Sequence, residues 1–189
     1  MNKTRQAAHD MSTVRYHRPW RQWLRHLWSD RSDITHVLDT EALARLEARI
    51  TESELHHSGE IRLCVEAALP WRYLRAGASP RERALSMFGK LRVWDTEHNS
   101  GVLIYLLLAE RAIELVADRG INQHVSAVQW QEVVQQLGAA LREGRFEEGL
   151  TQAVDAVSAG SFQVSLSNLS SASKSEAVVL NFEIGRAHV

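Results

Sequence analysis

Apolar residues recur along this chain with two different periods, and the changes of period mark out its elements. Trp20, Trp23, Leu24, Leu27 and Trp28 fall at i, i+3, i+4, i+7 and i+8, one stripe on a short helix with Arg21, Gln22, Arg25 and His26 opposite. Leu43, Leu46 and Ile50 repeat the helical spacing within residues 39–55, where Asp39 or Thr40 can cap the first turn. After Ser58-Gly59 the period drops to two. Glu60-Ile61-Arg62-Leu63-Cys64-Val65-Glu66 alternates polar with apolar, as a strand does.

Ser79-Pro80-Arg81-Glu82 has the form of a helix start, with serine at the cap, proline at the first helical position and glutamate three residues after the cap. Leu85, Phe88 and Leu91 follow as its apolar positions. Residues 102–108 are apolar without interruption, which suits a central strand covered on both faces, and residues 112–117 supply a shorter partner strand. Ser126 to Gln129 is a second capping box, ahead of Trp130, Val133, Val134, Leu137 and Leu141. Phe146, Leu150, Ala153, Val154 and Val157 form the last stripe, which stops at Gly160.

The order helix, strand, helix, strand, strand, helix, helix predicts an α/β fold. A right-handed parallel crossover joins the first two strands and an antiparallel hairpin adds the third. The expected architecture is a layered α/β/α sandwich. The organisation read from the pattern is a tryptophan-rich arm over residues 1–37, a body over 38–160 and a tail over 161–189. Eight serines lie between Ser158 and Ser175 without sustained periodicity, so the tail is expected to be poorly ordered. Its last seven residues also spell a translated sequencing adapter, and no function is attached to them.

With 44% hydrophobic and 24% charged residues, the composition of this 189-residue chain is that of an ordinary globular protein. The longest apolar run, residues 102–109, is far short of the roughly 20 residues of a membrane-spanning helix. Residues 1–18 are polar and basic and carry no apolar stretch of the secretory kind, so the expectation is a cytoplasmic protein, peripheral at a membrane if its arm binds one. The lone cysteine, Cys64, sits in the first strand and is expected to be a buried thiol. The net charge of −1 divides unevenly: residues 1–31 hold seven Lys/Arg against two Asp/Glu, a net of +5, and the remainder stands at −6. A basic arm of this kind suits an anionic membrane surface, nucleic acid or the protein's own acidic body. The stripe Trp20, Trp23 and Trp28 with Arg21 and Arg25 reads either as an interfacial anchor or as a helix packed on its own domain.

Antiparallel pairing of the second and third strands puts the loop entering the hairpin beside the loop leaving it. Asp95-Thr96-Glu97-His98-Asn99-Ser100-Gly101 therefore neighbours Asp118-Arg119-Gly120, and a parallel first strand brings Glu60 to the same end. Asp95, Glu97, Asn99 and Asp118 offer hard oxygen ligands of the kind Ca²⁺ and Mg²⁺ prefer, with Glu60 and Thr96 as secondary candidates. An EF-hand is excluded, because the glycine falls one place late and the twelfth position is Leu106. Turn formation alone also accounts for Asp, Asn and Gly here. No Gly-rich phosphate loop, His-Glu-x-x-His or Gly-x-Ser-x-Gly occurs, the adjacent His56 and His57 read as a solvated helix end, and no aromatic-lined basic groove favours nucleic acid.

Ser58-Gly59-Glu60-Ile61-Arg62, Trp94-Asp95-Thr96, Asn99-Ser100-Gly101-Val102-Leu103-Ile104, Asp118-Arg119-Gly120-Ile121 and Gly144-Arg145-Phe146-Glu147-Glu148-Gly149-Leu150 occur in an order that resembles the TPM domain family. The family is named for a thylakoid lumen protein, a photosystem II repair factor and an acetylcholine-receptor modulator. The resemblance implies a sheet of about four strands between helices, with a short fourth strand sought near residues 69–74. It also implies acid phosphatase activity, divalent cation binding or assistance to membrane complexes. A phosphatase of this type would hold a metal on the acidic loops, with Arg119 as a phosphate clamp. Carboxylates without an identifiable nucleophile are better evidence for binding than for turnover. The reading taken forward is a divalent-cation-binding module that engages a protein or membrane partner; the alternative is a metal-assisted phosphatase-like hydrolase.

Overall fold

The computed structural model describes residues 19–29 and 31–169. Three strands, β1 (Ile61–Glu66), β2 (Val102–Leu107) and β3 (Ala112–Ala117), form one sheet in the order β1-β2-β3. Ile61 pairs with Val102 and Glu66 with Leu107 in parallel, while Val102 pairs with Ala117 and Leu107 with Ala112 antiparallel. Every side chain of β2 is buried, which is why its sequence has no polar face. Alternation then sorts the strands between two cores. Ile61, Leu63, Val65, Val102, Ile104 and Leu106 face one layer, and Cys64, Leu103, Tyr105, Leu107 and Val116 face the other.

The first layer contains α2 (Arg31–Val37), α3 (Thr40–Glu54), α6 (Ala127–Arg142) and α7 (Phe146–Leu169). Asp39 accepts from the Ala42 amide at 2.7 Å and starts α3, and Leu46 and Ile50 point inward as their spacing requires. Ile34 and Leu38 are buried in the same core, so α2 packs into the sandwich. Leu150, Ala153, Val154 and Val157 of α7 are all buried. That helix runs past Gly160 to Leu169, so loss of order does not begin at Ser161 as serine content suggests; Ser161 is itself buried. Residues 170–189 lie outside the described residues.

The second layer contains α4 (Trp71–Ala76) and α5 (Pro80–Lys90). The strand sought near residues 69–74 is the helix α4, and the sheet has three strands. Pro70 and Gly77 bracket this single turn and a half; Gly77 takes the left-handed conformation that closes it. The capping box of α5 forms as its sequence predicts. Its inward face is rotated from the expected one: Ala84 and Met87 are buried with Arg83, Phe88 and Leu91 are partly covered, and Leu85 is exposed. The cause is Arg83, which turns inward to meet a buried acid and so fixes the helix rotation.

That acid is Glu66. Arg83 Nε donates to Glu66 Oε2 at 2.8 Å and Arg83 Nη2 donates to Oε1, while the Tyr105 hydroxyl donates to Oε2 at 2.6 Å. The Arg83 guanidinium also lies over the Tyr73 ring, 4.6 Å from its centroid. All three members of the hydrogen-bonded set are less than a tenth exposed. Outward-facing carbonyls of β3 are met by side chains as well: Arg81 Nη1 donates to Leu115 O and Asn122 Nδ2 to Ala117 O. A buried pair loses most when one partner is removed. Glu66→Ala is therefore expected to cost about 3–5 kcal/mol in denaturant unfolding, whereas Glu66→Leu with Arg83→Met recovers most of the loss. Equal destabilisation by both variants would show that the pair is not the source.

Candidate functional site

The three loops expected to converge do so, and backbone hydrogen bonds sew them together. Val102 N donates to Glu60 O at 2.8 Å, Asp118 N to Gly101 O at 2.9 Å and Gly120 N to Asn99 O at 2.8 Å. Ser100 adds two further stitches: its hydroxyl donates to Ser58 O at 3.1 Å and its amide to Thr96 Oγ1 at 2.9 Å. A Cβ on Gly101 would run into the carbonyl oxygen of Val93, and one on Gly120 into those of His98 and Asn99. The two glycines are there because backbone passes against backbone. Asn99 adopts φ 51°, a left-handed turn its short polar side chain tolerates.

On this platform Asp95, Glu97, Asn99 and Arg119 are exposed, and Asp118 is half-buried with its Oδ1 taken by the Arg119 amide at 2.7 Å. Thr96 serves the loop itself through Ser100. Among the described residues no three His, Cys, Asp or Glu side chains come together in a way that could hold a metal ion. The oxygen-bearing residues thus share one end of the sheet, but as placed they do not fit a cation cage, which needs about six to eight oxygens drawn inward.

The electrostatic centre lies slightly to one side, at a residue the sequence pattern did not single out. Glu54, in the last turn of α3, accepts from the Ile61 amide at 2.8 Å, and burial pushes its carboxyl up to about 7. Glu60 is also raised by burial, against the pull of Arg62, whose Nε donates to it at 2.5 Å; the charge of Asp95 adds to the rise. Nearby His57 is not solvated as expected of a helix end. It is buried, Gly59 N donates to its Nδ1 at 3.2 Å, and burial lowers its pKa. Glu54 escaped notice because a glutamate closing a Glu-rich helix has the pattern of a solvated face.

A second feature lies at the opposite end of the sheet. Helix α1 (Trp20–Trp28) docks through Trp23 and through His26, a residue expected to face water. His26 is buried: Leu69 N donates to its Nδ1 at 3.1 Å, and its Nε2 lies 2.9 Å from Glu110 Oε1. The accepting Nδ1 assigns the proton to Nε2, which donates to the carboxylate. Trp23 is half-buried, edge-on to Trp71 at 5.9 Å. The rest of the stripe is turned outward, with Trp20 68%, Leu24 43%, Leu27 64% and Trp28 84% exposed. Arg25 is exposed too. The helix thus packs on its own domain through His26 and Trp23, while four members of its apolar stripe stay outward.

A three-stranded mixed sheet between helical layers, with glycine-stitched loops at one end, defines a TPM-type α/β/α domain. The profile of the TPM domain family matches residues 32–160, and the chain belongs to that family. Among solved structures it is similar to the BA42 protein of the psychrophilic bacterium Bizionia argentinensis, at 24% identity over 67% of this chain and 83% of that one, with a TM-score of 0.59. It is also similar to the N-terminal domain of a protein from P. gingivalis, at 19% identity over 66% and 76% of the two chains, with a TM-score of 0.51. At these identities the likeness is one of fold. No curated protein matches the chain.

The raised Glu54 carboxyl has a consequence for stability. The folded state holds its proton more tightly than the unfolded chain, so the contribution is complete below the ordinary glutamate range and is lost as pH rises towards about 7. Glu54→Gln keeps an acceptor for Ile61 and removes the titration. The variant should therefore gain on wild type in melting temperature as pH is raised from about 5 to about 8. Parallel pH profiles would contradict the assignment.

Proposed function

We propose that this TPM domain is a binding module that docks on an anionic membrane surface through α1. The outward turn of Trp20, Leu24, Leu27 and Trp28 carries the proposal. Isolated exposed apolar residues are ordinary, whereas four on one helical face form a patch of the kind that marks an interaction surface. Tryptophans suit headgroup depth, and the +5 charge of residues 1–31 favours anionic lipid. Among the described residues no helix is long and apolar enough to cross a membrane, and the proposed contact is peripheral.

The acidic loops support this reading only as a diffuse negative surface at the far end of the sheet. A second reading, a phosphatase-like hydrolase, draws on Glu54, whose raised carboxyl could donate a proton near neutral pH. Against turnover, the platform's hydroxyls are occupied with structure: Thr96 accepts from Ser100, and Ser100 donates to Ser58.

Flotation with phosphatidylserine-containing vesicles should recover the wild-type chain, and Leu27→Ser/Trp28→Ser should lower partitioning about 10- to 100-fold, the loss expected for two apolar side chains. Unchanged flotation of a folded variant would overturn the membrane reading. Adding Ca²⁺ or Mg²⁺ to about 1 mM should move the melting temperature by less than about 1 °C, in wild type and Asp95→Ala/Asp118→Ala alike. A shift of several degrees lost in the double variant would assign a true cation site. Phosphomonoester hydrolysis lost in Glu54→Gln would move the assignment to the hydrolase.

A further inference from the structure

A cleft of about 1150 Å³ opens where β2 turns into β3, at the far end of the sheet from the acidic loops. Leu106, Leu108, Ile113, Val134, Leu141 and Phe146 give it an apolar floor. A shallower groove of about 340 Å³ continues the floor along β3 and α6, sharing Ile113 and Val134. The two together offer apolar surface from the hairpin turn to Leu115 and Trp130, room for an alkyl chain.

The rim is basic. Arg111 and Arg142 line the cleft with His36, and among the described residues neither guanidinium meets a carboxylate. The single carboxylate in the cleft's own lining, Asp33, has an interaction of its own, and Glu114 of the adjoining groove pairs with Arg81 at 3.6 Å. Arg45 with Glu147 and Arg49 with Asp155 have found acids on the surface, and Arg83 has found Glu66 in the interior. The two at the cleft are cations in want of an anion.

Two backbone features keep the cleft as it is. Arg111 holds a left-handed conformation at φ 52°, which side-chain-bearing residues rarely adopt and which tends to gather at functional sites. Gly138 lies in the interior of α6 and lines the cleft, although helices favour alanine over glycine. A Cβ there would meet only Arg142 Nη1 and Ile113 Cδ1, both at 3.5 Å, so packing does not demand the glycine. Its absence of a side chain leaves the cleft open.

We infer that this cleft binds a single-chain amphiphile with a carboxylate head, the chain lying on the apolar floor and the head between Arg111 and Arg142. Ligand pockets combine an apolar lining with a few placed polar groups, and guanidinium forks pair with carboxylates through two parallel hydrogen bonds. The inference does not depend on membrane docking, which uses the outward face of α1.

The test is titration of the full chain with 11-(dansylamino)undecanoic acid below its micellar concentration. Expected are saturable fluorescence enhancement, displacement by laurate, and displacement by dodecyltrimethylammonium at least about 10-fold weaker, since the charge-assisted contacts are lost. Gly138→Leu should abolish binding, and Arg111→Gly/Arg142→Gln should weaken it by about 10-fold or more. If Gly138→Leu fails to fold by circular dichroism, the arginine pair carries the test. Leu27→Ser/Trp28→Ser should bind the probe as wild type does. The inference is overturned if the laurate and ammonium surfactants compete equally, if an acidic peptide without an alkyl chain displaces the probe as well as laurate does, or if folded arginine variants bind unchanged. Loss of binding only in the α1 variant would place the probe on α1 and equally reject the cleft.

Discussion

Strand β2 is buried on both faces and paired on both edges, and this double constraint arranges the rest of the molecule. An apolar segment with no polar side must be covered twice, so helices have to gather above and below it. Its parallel neighbour β1 and antiparallel neighbour β3 then force three chain entries and exits to one end of the sheet and leave the hairpin turn at the other. The stitched loops of Glu60, Asn99, Gly101 and Gly120 occupy the first end. The cleft and the docked α1 occupy the second. Separation of the acidic loops from the cleft and α1 is thus a consequence of one strand's pairing.

The elements governed by local rules were legible in the sequence. Asp39, Ser79 and Ser126 cap helices because an oxygen one to three residues ahead of an unpaired amide satisfies it without help from the rest of the fold. The alternation of β1 and the unbroken apolar run of β2 gave the layers, and the convergence of loops followed from strand direction alone. What the pattern missed depends on partners distant in sequence. His26 has the appearance of a polar-face residue until Leu69 and Glu110 are brought to it. Arg83 turns α5 because Glu66 waits under it, a fact visible only after folding. Glu54 is unexceptional in α3 and becomes special once the edge of β1 lies beside it.

The candidate site was legible in its location and less so in its chemistry. Topology brings the loops of Asp95, Glu97, Asn99 and Asp118 together, as strand direction predicts. Their side chains form no metal-holding group among the described residues: Asp95 and Glu97 are exposed, and Asp118 is taken by the Arg119 amide. Proximity in loop order is a backbone property, and convergence of donors is a side-chain property. Only the first can be read from strand direction.

A sheet of three strands has two rims, and in this chain side chains take up outward groups on each. On β1 the outward amide of Ile61 is taken by Glu54; on β3 the outward carbonyls of Leu115 and Ala117 are taken by Arg81 and Asn122. Open rims are templates on which another copy can lay a strand. The three side chains occupy positions that such a strand would need, and one of them is an acid whose carboxyl is pushed up to about 7. A strand approaching either margin would have to displace one of these side chains before it could pair there.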